Sequence, residues 1–276
     1  MKKIISFLIL LVGYTTQAQQ QQYITEKDIR YYPDEVNAKD EYIASQCRLD
    51  LYYPKGAKHV PTIIWFHGGG ITAGHKELPR ALMEKGYAVV GVGYRLSPKV
   101  HAPAYIEDAA AAVAWVFHHI ADYGGDSRLI FVSGHSAGAY LGMMITFDKK
   151  YLAKHKVDAD DIAALIPFSG QAITHFTVRN EKGIKETQPV IDEYAPLYHI
   201  RADAPPVLLI TGDRRMEMLA RYEENAYLAH MLTIAGHKHT TLYELQGFDH
   251  GGMAEPAFPL LLKEVAAVTK EITQHK

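Results

Sequence analysis

Cysteine is almost absent: Cys47 is the single one among 276 residues. That rules out an intramolecular disulfide framework and any multi-cysteine zinc or iron–sulfur site. A basic run is missing too, and 29 Lys and Arg against 31 Asp and Glu leave a formal charge of −2. No nucleic-acid partner is therefore expected, because gripping a phosphate backbone takes clustered Lys and Arg. Nor is the chain poor in apolar residues. With 48% hydrophobic and 22% charged residues, it has ample material for a core, which excludes disorder as the default. There is no internal repeat and no Gly/Ser/Pro linker of the kind that marks a domain boundary.

The N-terminus carries Lys2 and Lys3, an apolar run over residues 4–12 interrupted only by Ser6, and Thr16-Gln17-Ala18 with small residues at the −3 and −1 positions of a cleavage site. That pattern predicts a cleavable signal peptide over residues 1–18 and a single folded domain over residues 19–276. A nine-residue run with eight apolar residues falls far short of the ~20 a spanning helix needs, so no membrane span is expected in the mature chain. No cysteine follows the run, which argues against a lipid anchor. A secreted or periplasmic location follows as an expectation. Residues 17–22, rich in glutamine, read as a short solvated leader, and Cys47 as a buried small hydrophobe.

Continuous β-prone apolar runs occupy residues 62–66, 87–94, 129–133, 162–168 and 207–211, with a further strand-like run at 241–245. Such runs suit strands covered on both faces. Between them Ala109, Ala112, Val113, Val116 and Ile120 recur at helical spacing, and residues 222–232 continue a long amphipathic stretch. Strand and helix in alternation imply an α/β fold with a parallel sheet. Residues 48–52 alternate with period two, as an antiparallel edge strand with one solvated face would. A last helix is expected over residues 260–272, after Pro256 and Pro259. Residues 171–206 are too long for an ordinary connection and read as a lid-like insertion.

Three motifs carry chemistry. Gly134-His135-Ser136-Ala137-Gly138 lies between an apolar strand and a helix rich in Ala, Leu and Met, the setting of a nucleophile elbow. There a tight turn lifts Ser136 Oγ out of the sheet and puts the next amides at a helix N-terminus. His67-Gly68-Gly69-Gly70 directly follows another apolar strand. Successive glycines bring main-chain N–H groups close to a ligand, and two of these amides with that of Ala137 can surround an oxygen that turns negative. The Lys-Ser/Thr of a phosphate loop is missing, and no Gly-x-Gly-x-x-Gly fits. His67 reads as a structural anchor. The third motif, Gly247-Phe248-Asp249-His250-Gly251-Gly252, follows the last strand. Of fifteen histidines, His250 is the one placed there with glycines that give its ring room, as a general base toward Ser136 needs.

These pieces resemble the α/β-hydrolase fold, and within it the hormone-sensitive-lipase-like bacterial carboxylesterases. The matching segments also include Tyr94-Arg95-Leu96-Ser97-Pro98, residues 103–115 with Asp108-Ala109-Ala110, and Ala195-Pro196-Leu197 before Pro205-Pro206. They occur in family order and run from about Pro61 to the end. The resemblance implies an eight-stranded, mostly parallel sheet, no metal or organic cofactor, oxyanion amides at Gly69, Gly70 and Ala137, and hydrolysis through an acyl-serine. The acid departs from the family pattern, which places it three residues beyond the strand's glycine, where this chain has Arg215. Asp213 is the first candidate, a short rigid side chain at the strand's end, with N-capping as its bland alternative. Glu217 is the second, with reach to replace a missing aspartate, or else simply a first-turn acid beside a helix dipole. Asp249 is disfavoured because neighbouring loop side chains diverge.

Arg95 is expected to pair with an acid near Asp108. His175, Phe176, Tyr194 and Tyr198 are candidates to line a substrate pocket or to pack the insertion on the sheet. The expected partner is a small-molecule ester. An amidase or formamidase with the same triad, and a catalytically silent binding domain, are the competing readings.

Overall fold

A computed structural model of the chain describes residues 21–274, so the signal peptide expected over residues 1–18 lies outside the described residues. The strands are β1 (Tyr23–Arg30), β2 (Arg48–Pro54), β3 (Val60–Phe66), β4 (Ala88–Val92), β5 (Gly125–His135), β6 (Ala164–Phe168), β7 (Val207–Gly212) and β8 (Thr240–Leu245). They form one eight-stranded sheet in the order β1-β2-β4-β3-β5-β6-β7-β8. β2 runs antiparallel to both β1 and β4, and every other pairing is parallel.

Period-two alternation along β3 explains why the sheet is covered on both sides. Ile63 and Trp65 enter one core layer with Phe131, Ile210 and Phe258, whereas Ile64 and Phe66 enter the other with Ala109, Val113 and Leu141. Helices Ala104–His119, Ala137–Phe147 and Arg221–Ile234 cover the second face, and helix Ala254–Gln274 covers the first. That last helix buries Ala257, Phe258, Leu261, Val265 and Val268, one stripe at helical spacing. Cys47 is fully buried, as its reading as a small hydrophobe expected. No helix of the described residues is long and apolar enough to cross a membrane.

Two expectations change. The strand over residues 48–52 is antiparallel, but it is not the edge: β1 pairs outside it, with Tyr23 stacked on Tyr52 at 4.7 Å. β1 is polar and mostly exposed, so it lacks the hydrophobic signal that marks the other strands. The last helix begins at Ala254 rather than near residue 260. Pro256 falls in its first turn, where amides have no intrahelical acceptor, and Pro259 is on the exposed side, where water can reach the carbonyl it leaves unpaired.

The segment after β4 is tied to the sheet's cover by a buried ion pair. Asp108, fully buried on helix Ala104–His119, accepts from Arg95 N and Nε (both 2.9 Å), Arg95 Nη2 (2.7 Å) and Tyr32 Oη (2.8 Å). The acid that Arg95 was expected to find near Asp108 is Asp108 itself. Removing it strands a guanidinium and a hydroxyl, so Asp108→Ala should lower unfolding stability by about 3–5 kcal/mol. Chemical denaturation checks this, and a loss below about 1 kcal/mol would remove the pair from the fold's essential contacts.

Residues 171–206 are folded down rather than loose. A short helix, Phe176–Glu181, and a 3-10 turn, Pro196–His199, lie within them. Arg179 donates to Thr174 O (2.8 Å) and Glu186 O (2.6 Å), Tyr140 Oη to Tyr194 O (2.8 Å), and Ala102 N to Glu181 Oε2 (2.9 Å).

Candidate active site

The site is assembled at the carboxyl ends of β3, β5, β6, β7 and β8. β5 ends at His135, and the chain turns sharply at Ser136, whose φ of 56° and ψ of −114° put a non-glycine residue in a strained conformation before helix Ala137–Phe147 begins. Close packing makes the turn possible: a Cβ on Gly138 would sit 2.1 Å from Phe66 O, so glycine alone fits. Ser136 N donates to Phe168 O (2.8 Å), fixing the turn against β6. The helix N-terminus that follows favours negative charge beside Oγ.

His250, in the loop after β8, has its Nε2 2.9 Å from Ser136 Oγ and its Nδ1 2.7 Å from Glu217 Oε2. Three side chains separated by 114 and 33 residues thus form one hydrogen-bonded chain. The acid in it is Glu217, which corrects the preference for Asp213. The reason is a single turn after β7, where the amides of Met216 and Glu217 both bond Asp213 O (2.8 Å). That turn carries Glu217 back over the strand end, where its longer side chain takes Gly212 N on Oε1 (2.9 Å), Met218 N on Oε2 (3.1 Å) and the hydroxyl of Ser169. Burial pushes the Glu217 carboxyl up, but the hydrogen bonds from His250, Ser169 and Gly212 outweigh it and hold the group at about 2.

Asp213 instead accepts from the amides of Arg215 (2.9 Å) and Gly247 (3.0 Å), and its own amide donates to Phe248 O (2.8 Å). Those amide bonds hold its carboxyl at about 2 as well. It braces the base's loop rather than the imidazole. Asp249 is also turned away, accepting from Gly252 N at 2.7 Å.

The glycine loop after β3 lies against this turn: a Cβ built on Gly68 would be 3.5 Å from Ser136 Cβ. Gly69 has φ +112° and its carbonyl accepts from Thr72 N and Ala73 N, a tight reversal that keeps the loop folded back. Among the described residues, the amides of Gly69, Gly70 and Ala137 find no protein acceptor. Free N–H groups at the first residue of a helix and in a glycine turn are what an oxyanion needs. His67 is an anchor: its ring stacks on Tyr94 at 4.3 Å, and Tyr94 Oη donates to His67 O at 2.8 Å.

Of the four aromatics proposed for a pocket, Phe176 is the one that lines the cavity beside the site. Its ring sits where a Cβ on Gly70 would come within 2.9 Å, and Thr177 Oγ1 donates to Gly70 O. His175 is buried against Tyr140, and Tyr198 is exposed. The cavity encloses about 280 Å³ between Ile173, Phe176, Met218 and Leu219, with Arg179 and Arg221 among its walls. Ser169, Thr177 and His135 are site residues that the motifs did not mark.

Residues 49–232 match the BD-FAE family model, two thirds of the chain. The chain belongs to the BD-FAE family. The match spans the glycine loop, the nucleophile turn and Glu217, and it ends before His250. Among curated relatives are the probable carboxylic ester hydrolase LipM of Mycobacterium tuberculosis, 29% identical over 55% of this chain and 40% of that protein, and the esterase LipC of the same organism, 26% identical over 70% and 51%. The chain therefore spans about half the length of such relatives. Among solved structures, esterase B from Lactobacillus rhamnosis aligns with a TM-score of 0.72 at 21% identity over 95% of this chain and 91% of that one. A truncated carbohydrate esterase from gut microbiota aligns at 0.71 and 20% over 92% and 98%. These likenesses bear out the α/β-hydrolase fold read from the motifs.

Proposed function

We propose that this BD-FAE member is a serine carboxylic-ester hydrolase acting on small or short-acyl esters, with Ser136 as nucleophile, His250 as general base and acid, Glu217 as the triad acid, and Gly69, Gly70 and Ala137 as oxyanion donors. The observation that carries the reading is the continuous contact from Ser136 Oγ through His250 to Glu217. Ser136 Oγ attacks the ester carbonyl as its proton passes to His250 Nε2. The carbonyl π electrons move to oxygen, which the free amides hold. Collapse breaks the bond to the alcohol oxygen, which leaves with the proton from Nε2. Water then gives a proton to Nε2 and attacks the acyl carbon, and Ser136 departs with that proton as the carboxylic acid is released. Glu217 stays ionised throughout and balances the imidazolium.

The test is hydrolysis of p-nitrophenyl acetate and butyrate, with stoichiometric labelling by a fluorophosphonate probe. Activity should fall on the acid side, because only the neutral imidazole accepts the serine proton. Glu217, held at about 2, stays ionised and His135, pushed by burial down to about 4, stays neutral near pH 7. Labelling without turnover of any ester, but with turnover of a formamide, would move the reading to an amidase. The absence of both would leave a silent binding domain. We propose further that the chain is exported. Mass spectrometry of protein from a bacterial host's periplasm or medium should find it starting at residue 19, and an intact N-terminus retained in the cytoplasm would overturn this.

A further inference from the structure

The nucleophile turn carries a second imidazole that the mechanism does not use. His135 precedes Ser136, and its Nε2 lies 2.8 Å from the main-chain carbonyl of His250, a contact across 115 residues. The two rings lie 4.8 Å apart at 41°. We propose that His135 is a positioning residue for the general base, its Nε2–H holding the His250 carbonyl so that the imidazole stays registered on Ser136 Oγ. The inference rests on the ester-hydrolase reading and adds a part to it.

His250 sits in an exposed loop in which Gly247, Gly251 and Gly252 give little resistance to movement. Asp213 ties the loop's start, at Gly247 and Phe248. Among the described residues, the bond from His135 is the one hydrogen bond from a distant part of the chain to His250's own main chain. Nucleophile and base are therefore linked twice, once through Oγ and Nε2 and once through the residue next to the serine. Such a double link fixes a donor–acceptor geometry that a single hydrogen bond leaves free to swing. Misplacement of a reacting group by ~1 Å costs on the order of 100-fold in rate, which sets the scale of what the contact can protect.

The chemistry of the pair fits this use. A carbonyl only accepts, so the proton must be on Nε2 of His135, leaving Nδ1 bare in the neutral ring. Nδ1 faces the glycine loop, 3.2 Å from where a Cβ on Gly68 would stand, so the same ring touches the oxyanion loop. Burial, and then the neighbouring His250, push the His135 ring down to about 4, against the opposing pull of its bond to the His250 carbonyl and of Glu217, while Arg221 adds to the lowering. The ring is thus uncharged when His250 takes the serine proton, and it sets no positive charge against the imidazolium.

His135→Leu removes the donor, and His135→Gln returns an N–H on a side chain of similar reach. With active sites counted by fluorophosphonate labelling, the leucine variant should lose about 10- to 100-fold in kcat toward p-nitrophenyl butyrate with KM within about 3-fold, and glutamine should restore most of the loss. A leucine variant within about twofold of the parent, or a glutamine variant as slow as leucine, would overturn the proposal. If the leucine variant does not fold, nitrogen NMR of isotope-labelled histidines in the unaltered protein decides: His135 should hold the neutral Nε2–H form between about pH 5 and 8. An Nδ1–H form, or titration in that range, overturns it. Failure of the unaltered protein to hydrolyse any ester would instead sink the functional reading, and the NMR result, read without substrate, would still judge the contact.

Discussion

Ser136→Ala should lower kcat/KM toward p-nitrophenyl butyrate by about four orders of magnitude or more, and should abolish the fluorophosphonate adduct. In the proposed mechanism Oγ forms the acyl bond, so its loss cannot be offset by the base or the oxyanion donors, which keep only the residual acceleration that binding and electrostatics supply. The hydroxyl of Ser169 is no substitute, because it already commits its proton to Glu217 Oε1. The fold should survive, because alanine meets the same strain at φ 56° as serine does and the turn's main-chain bonds, Ser136 N to Phe168 O and Tyr140 N to Ser136 O, remain. A thermal midpoint within a few degrees of the parent then assigns the lost rate to chemistry rather than unfolding. Residual activity above about one tenth would place the nucleophile elsewhere.

How much of this was legible depended on whether function and local structure made the same demand on the chain. Ser136 and His250 could be found because an elbow needs glycines at fixed offsets and a base loop needs room, so chemistry and backbone left a joint mark in Gly134-x-Ser136-x-Gly138 and around His250. The buried strands were legible for a similar reason, since covering both faces forces unbroken apolar runs. β1 was not, because an exposed polar edge strand gains its place from pairing with β2 and leaves no periodicity to read. The triad acid was ambiguous because Asp213 and Glu217 differ only in how one turn closes, a matter of main-chain hydrogen bonds rather than residue type. His135, Ser169 and Thr177 were silent altogether. Each acts by one hydrogen bond to a partner far along the chain, and nothing in the local sequence announces a contact that tertiary folding creates.

Glu217→Gln should lower kcat by about 10³- to 10⁴-fold, whereas Asp213→Asn should cost less than about 10-fold. The glutamine is nearly isosteric and still accepts from Ser169 and Gly212 on its carbonyl oxygen, so its amide nitrogen is left facing His250 Nδ1. Two donors cannot share that contact. The imidazole therefore settles with Nδ1 bare and the proton on Nε2, the nitrogen that must be empty to take the serine proton. The carboxylate's charge goes as well, and with it the balance for the imidazolium. Asparagine at residue 213 keeps an oxygen for one of the amides of Arg215 and Gly247 and leaves the Asp213 N to Phe248 O bond untouched, so the base's loop is loosened rather than released. Acid stability separates the parent from Glu217→Gln too. A carboxyl held at about 2 when folded, below its ordinary value of 4.5, contributes stability that is present above the ordinary value and lost as pH falls toward 2. The glutamine variant should lack that part of the acid dependence. Steady-state kinetics of the two variants side by side decide the assignment: an aspartate variant slower than the glutamate one would return the role to Asp213 and leave Glu217 as a brace for β7.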